Sequence, residues 1–428
     1  MKIYPFICLA IILASCAEPK RQIALFDDYD QYLTDRLLVG NDPVKDEIGF
    51  WRTRLSKSPG DETSQLKLAG LYAEMFKTSG SIDNIQLSDS LYKLALNRYP
   101  NGNVEIFQGL AANAIAQHKF PEAKNYAEKA LDLKDKKSAS LLILVDVSLE
   151  IGDYARANKI LDQFKNKNSF AYLIRKAKAK DHEGMGDSAI ACMEKAFARI
   201  KGNKVLAQWA LSNLADMYGH AGRIDEAYAA YLEVLRINPR HGHALKGIAW
   251  ICISHDGNLH DAKNIINAMA TGNFTPESHL WLASVAEMEN NEVQKMQHLS
   301  KFKLLVSRPG YKAMYRKYLA IIEAEEFSPA VAVEIAEEEI RNRPTPNSFD
   351  LLAWSYYQQG NFKKAHDIAM RRVKDQTFEP LAFYHLGMID LANGNVTMAK
   401  ESLKKALDSE FELGPLITRQ IKSALREI

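Results

Sequence analysis

One small residue recurs along this chain at intervals that leave little choice of architecture. Ala123, Ala157, Ala189, Ala227, Ala262, Lys295, Ala332, Ala365 and Ala399 follow one another at spacings of 34, 32, 38, 35, 33, 37, 33 and 34 residues, with a lysine standing once where alanine is the rule. The residues ahead of each also recur. Phe107, Leu110 and Ala111 precede Ala123; Leu141, Leu144 and Gly152 precede Ala157; Phe349, Leu352, Ala353, Tyr356 and Gly360 precede Ala365; Phe383, Leu386, Gly387 and Gly394 precede Ala399. Apolar steps of three and four mark one face of a helix, and a glycine after them ends that helix in a left-handed turn. The alanine then marks where a returning helix crosses too closely for a larger side chain. Such a hairpin covers its apolar face only by stacking on the next one.

The unit is most complete at Leu211, Leu214, Ala215, Tyr218, Gly222, Ala227, Tyr231, Leu235 and Pro239. That order and its period near 34 residues resemble the tetratricopeptide repeat. The resemblance implies an all-α fold, a right-handed α-solenoid of about nine to ten helical hairpins over residues 46–413. Gln65, Leu68, Ala69, Tyr72, Tyr92, Ala95 and Pro100 supply a looser first hairpin, with Trp51, Leu55 and Pro59 as half a unit before it. Residues 414–428 are expected to form a C-terminal capping helix that Pro415 opens, with Arg419, Gln420, Lys422 and Arg426 facing water. At Lys295 the spacing predicts wider helix separation or a bend.

Hydrophobic residues make up 47% of the chain and only 14 of 428 residues are proline, the composition of a packed helical chain rather than a disordered one. No run in its interior reaches the roughly 18 apolar residues of a membrane span.

The start of the chain carries a second signal. Lys2 precedes the apolar run Ile3–Leu13, which ends in Leu13-Ala14-Ser15-Cys16. A short positive region, an apolar stretch too short to span and small residues before a break describe a secretory signal over residues 1–15. The Leu-Ala-Ser-Cys string resembles the lipobox of bacterial lipoproteins, which implies that Cys16 becomes the acylated first residue of the mature chain. The alternative is an ordinary signal peptide that happens to contain Cys16. Ala17 is not the aspartate that retains such proteins at the inner membrane, so the resemblance implies the outer membrane. Residues 16–45 are expected to be a lipidated tether and lead-in, with the lipid as the only membrane attachment. Cys192 and Cys252, two hairpins apart, are expected to be free buried thiols.

Removal of residues 1–15 takes a single lysine, leaving 54 basic against 53 acidic side chains. That balance points away from nucleic acid, whose binders carry a clear excess or stripe of Lys and Arg. The locally basic stretch Lys165, Lys167, Arg175, Lys176, Lys178 and Lys180 is expected to be a solvated helix face.

Catalytic signatures are missing: the chain has no phosphate loop, no paired cysteine motif, and His182-Glu183 runs into Gly184-Met185-Gly186, which breaks the helix a zinc site needs. His243 and His255 lie at two ends of one helix, about 18 Å apart at 1.5 Å per residue, too far to share an ion. His220, His255 and His260 with Asp256 could hold a transition metal, but hydrogen-bonding turn histidines are the preferred reading. No catalytic residue, metal or cofactor is expected.

The resemblance implies instead a concave groove lined by first-helix side chains that core packing leaves over. Carried onto this sequence, those are Trp209, Asp216, His220, His243, Lys246, Trp250, Asp350, Trp354, Tyr357, Tyr384, His385 and Met388. Aromatic anchors dominate binding energetics, so this set predicts an exposed floor for a protein or peptide. The Lys, Asn and Arg clamp of the members that bind chaperone termini is not assembled on three consecutive units; Lys246 and Lys317 stand alone. The sequence therefore predicts a non-enzymatic envelope lipoprotein acting as scaffold or assembly adaptor. The alternative is a glycan- or peptide-capturing solute-binding lipoprotein serving an uptake channel, against which the lack of large insertions between units counts.

Overall fold

A computed structural model describes residues 21–33, 43–200, 202–270 and 275–428; Cys16 and the signal stretch lie outside the described residues. Among the described residues all regular structure is helical. A leading helix α1 (Pro43–Lys57) is followed by ten antiparallel hairpins. Hairpin 1 is α2 (Glu62–Ser79) with α3 (Ile82–Leu96), hairpin 2 is α4 (Val104–Ala116) with α5 (Phe120–Asp132), and hairpin 3 is α6 (Lys137–Glu150) with α7 (Tyr154–Leu161). Hairpins 4 to 6 are α8 (Phe170–His182) with α9 (Gly186–Ala198), α10 (Lys204–His220) with α11 (Ile224–Ile237), and α12 (Gly242–Ile251) with α13 (Leu259–Met269). Hairpins 7 and 8 are α14 (Pro276–Met288) with α15 (Glu292–Val306) and α16 (Tyr311–Ile322) with α17 (Pro329–Asn342). Hairpins 9 and 10 are α18 (Pro346–Gln358) with α19 (Phe362–Arg372) and α20 (Pro380–Ala392) with α21 (Val396–Leu407), before the final helix α22 (Glu410–Glu427). The fold is an α-solenoid.

The eight crossing alanines are wholly buried, each in the first turn of its second helix. Within nine hairpins the turn is made by a left-handed residue: His118 and Asn290 in hairpins 2 and 7, a glycine elsewhere. Hairpin 8 departs from this, and with hairpin 6 it shares another feature. The first helix of each runs on into a π-helical turn, Cys252–Asp256 and Glu323–Phe327. Such turns insert a residue and re-aim the side chains that follow.

The second π turn explains Lys295. The helices of hairpin 7 pack along their length as the other pairs do, so the expected wider separation is not the solution adopted. Instead the lysine stays 7% exposed, with its Nζ 2.6 Å from Glu326 Oε1 and 3.4 Å from Glu287 Oε2. The π turn of hairpin 8 brings Glu326 within reach, and a buried ammonium with carboxylates around it is tolerable where an unpaired one is not.

The array coils until its edges meet. The Tyr311 hydroxyl, from the first residue of hairpin 8, donates to the Gly80 carbonyl at 2.9 Å and accepts the Ile82 N–H at 3.1 Å, at the turn of hairpin 1. Asn342 donates to the carbonyl of His118 at 2.9 Å, and Arg343 pairs with Glu150 at 3.4 Å. Phe378 covers Gly184, so closely that a Cβ there would lie 2.5 Å from the ring. Phe411 sits on Gly219 in the same way. The turn ends of hairpins 1 to 5 thus meet, in order, the junctions at which hairpins 8, 9, 10 and α22 begin.

Residues 21–33 do not hang free. The Asp256 carboxylate accepts the N–H groups of Ile23 (3.0 Å) and Ala24 (2.9 Å), and Tyr29 is fully buried with its hydroxyl 3.1 Å from Asp261 Oδ2. This part of the stretch expected to be a tether is docked on hairpins 5 and 6.

Candidate binding surface

First-helix positions in this solenoid do two jobs, and the expected groove residues divide between them. In hairpins 8 to 10 they bind hairpin to hairpin. Trp354 is 2% exposed, stacked on Tyr357 (centroids 4.7 Å apart, planes 9° apart) and on His385 (4.1 Å, 13°), and its indole N–H donates to Glu325 at 2.8 Å. His385 is 1% exposed and sits 2.8 Å from Asp350 Oδ2. Tyr384 is buried, its hydroxyl donating to Gln420 of α22 at 2.8 Å, and Met388 packs beside it. An exposed aromatic floor is therefore not what Asp350, Trp354, Tyr384 and His385 form: stacking removes them from water.

The middle hairpins use ion pairs to the same end. Asp216 lies 2.7 Å from His243 and accepts from Tyr231, whose hydroxyl burial pushes far above the ordinary range. Lys246 reaches Glu277 at 2.6 Å. Arg175 pairs with Asp146 at 2.6 Å and Lys178 with Glu150, so part of the basic stretch ties hairpin 4 to hairpin 3 rather than facing solvent. Trp250 donates its indole N–H to the Phe411 carbonyl at 3.0 Å, and His220 lies 3.9 Å from Glu412. A cleft of about 370 Å³ remains between the first π turn and α22, where Ser254 and Thr418 face each other's helices.

What stays open is at the other end of these helices. Trp209 is 42% exposed, Val205 one turn before it is 64% exposed, and Phe170 of hairpin 4 meets the tryptophan edge-on at 6.0 Å. His243 of hairpin 6 is also exposed, but its partner is Asp216, so the open patch spans hairpins 4 and 5. Val205 and Phe170 were missed in the sequence because first-turn positions carry no packing signature.

The histidines expected near one another are dispersed among local partners. His255 sits 2.8 Å from Asp256, His260 3.0 Å from Asn264, and among the described residues no three metal-ligating side chains converge. Cys192 and Cys252 are unbridged; Cys192 is only partly buried, against expectation, whereas Cys252 is buried, and burial first, then the Asp256 and Asp261 carboxylates, pushes its thiol up to about 12. No helix among the described residues is long and apolar enough to cross a membrane.

The sequence profile of the tetratricopeptide repeat matches residues 210–241 and 381–412, hairpins 5 and 10. No curated protein matches the chain in sequence. Among solved structures, the type IV pilus biogenesis factor PilW is 15% identical, covering 49% of this chain and 97% of its own, with a TM-score of 0.39. A tetratricopeptide repeat protein from Parabacteroides merdae is 20% identical over 60% of this chain and 97% of its own, at 0.37. Human IFIT1 is 14% identical over 90% of this chain and 95% of its own, at 0.44. Hairpins 5 and 10 are therefore tetratricopeptide repeats by sequence, set in an α-solenoid most of whose other hairpins share their crossing alanines and left-handed turns.

Proposed function

We propose that this chain is a non-enzymatic lipoprotein of the bacterial envelope, probed from sequence by Cys16, whose repeats hold a protein or peptide partner as a scaffold or assembly adaptor. The observation that carries the reading is the open patch of Trp209, Val205 and Phe170, whereas Trp250, Trp354 and Tyr384, other large aromatics expected in the groove, are engaged in packing. A half-exposed tryptophan on a rigid helix is a ready hot spot, since its large contact area is offered with little side-chain entropy to lose. Partners recovered from envelopes of cells carrying the native chain or Trp209→Ala test it. Recovery falls at least tenfold if the patch is the site; unchanged recovery removes it.

A further inference from the structure

The docked N-terminal segment fixes where the solenoid sits relative to the point at which a lipid would attach. The Asp256 side chain, at the end of the first π turn, is buried beneath the segment with its two oxygens accepting the backbone N–H groups of Ile23 and Ala24, and with His255 Nδ1 2.8 Å from Oδ1. The Tyr228 hydroxyl accepts the Leu25 N–H at 3.1 Å and lies 3.1 Å from Asp28 Oδ2, and Arg21 reaches Asp225 at 3.5 Å. With the backbone held and Tyr29 sunk into the core, Leu25 and Phe26 nevertheless stand 50% and 45% exposed. Two large apolar side chains are held out from a segment that the protein has gone to some length to immobilise.

Cys16 precedes Arg21 by five residues, which at full extension span at most about 18 Å. Helix α10 alone, with 17 residues, is about 25 Å long. An acylated Cys16 would therefore keep Arg21 within about 18 Å of the bilayer, less than the length of α10. We propose that the turn edge of hairpins 5 and 6, with Leu25 and Phe26 at its tip, is a membrane-contact surface seated on the lipid to which Cys16 is joined; this rests on the lipoprotein reading above. The surrounding charge says which lipid. Asp27 and Asp28 are exposed beside Phe26 and offset the exposed Arg21, itself paired with Asp225, so the surface carries no basic excess and suits zwitterionic rather than anionic headgroups. Val205 and Trp209 lie in the first two turns of α10, whereas the membrane edge is at its last, next to Gly222. Seating the turn edge on lipid points the open patch away from the bilayer.

The test uses the lipidated full-length protein in phosphatidylcholine vesicles with and without brominated acyl chains. A fluorophore is placed at Phe26→Cys or at Leu304→Cys on a Cys192→Ala background; Leu304 is 72% exposed, near the far end of α15. Quenching at position 26 at least threefold stronger than at 304, unchanged when anionic lipid is added and lost in Asp256→Ala with membrane recovery intact, supports the surface. Equal quenching at 26 and 304, with recovery abolished by Cys16→Ser, overturns the contact while leaving the anchor; a protein partner covering Leu25 and Phe26 would give this result. Recovery unaffected by Cys16→Ser overturns the anchor and the contact with it. Circular dichroism of Asp256→Ala separates release of the segment from unfolding.

Discussion

Gly414 lies directly against the indole of Trp250: a Cβ built on it would stand 2.8 Å from the ring edge, and its φ of +76° is one that side chains other than glycine resist. This contact seats α22 on hairpin 6 and kinks it so that the Phe411 carbonyl meets the Trp250 N–H. Gly414→Ala is expected to release α22, cutting stability by roughly 2–3 kcal/mol through strain plus clash. Gly222→Ala, with φ +73° but nothing within 4 Å, should cost only about 1 kcal/mol. Limited proteolysis checks this, cleavage within 409–428 preceding all other sites only in the first variant.

Lys295→Ala installs the residue found at eight of the other crossings, yet it should destabilise. Glu326 would lose its partner in a half-buried site and a cavity would open at the crossing. The urea midpoint should fall by the equivalent of about 1–3 kcal/mol, and adding Glu326→Gln should recover part of that loss.

His279 and His298 face each other across hairpin 7 with their Nδ1 atoms 3.0 Å apart. Burial first, then His298 and Lys301, pushes the His279 imidazole down to about 4 from its ordinary 6.5. The unfolded chain therefore takes up this proton first as pH falls. Stability from the neutral ring is fully present above about pH 6.5 and drains away between 6.5 and 4. Urea midpoints measured from pH 7.5 to 4.5 should fall over that window, and His279→Gln should flatten part of the decline.

Trp354 and Trp209 should separate packing from binding. Trp354→Ala empties a fully buried stack and should cost about 3–5 kcal/mol locally. Trp209→Ala should change stability by less than about 0.5 kcal/mol while reducing partner recovery. Hydrogen exchange over hairpins 8 to 10 reads the first effect; co-purification reads the second.

Hairpins, crossings and turns were legible in the sequence because they depend on residues within one repeat: Ala227 needs only Tyr218 and Gly222 to be recognised. Closure was not, because Tyr311 meets Gly80 only after small rotations accumulate over seven hairpins, and no local pattern records their sum. The same cause hid the fate of Trp354 and His385, which look like surface positions until the neighbouring hairpin is laid against them. The docked segment was missed for a different reason: Asp256 reads as a turn residue, and its partners are backbone N–H groups, which carry no sequence signal.

The most direct measurement is site-specific cross-linking from intact envelopes with a photoreactive residue at Val205, compared with one at Val331 on α17, which is 40% exposed. A discrete protein adduct at 205, absent at 331 and lost when Trp209→Ala is added, is the predicted result. No adduct at 205, or the same adducts at both positions, would contradict a partner-binding patch on hairpins 4 and 5.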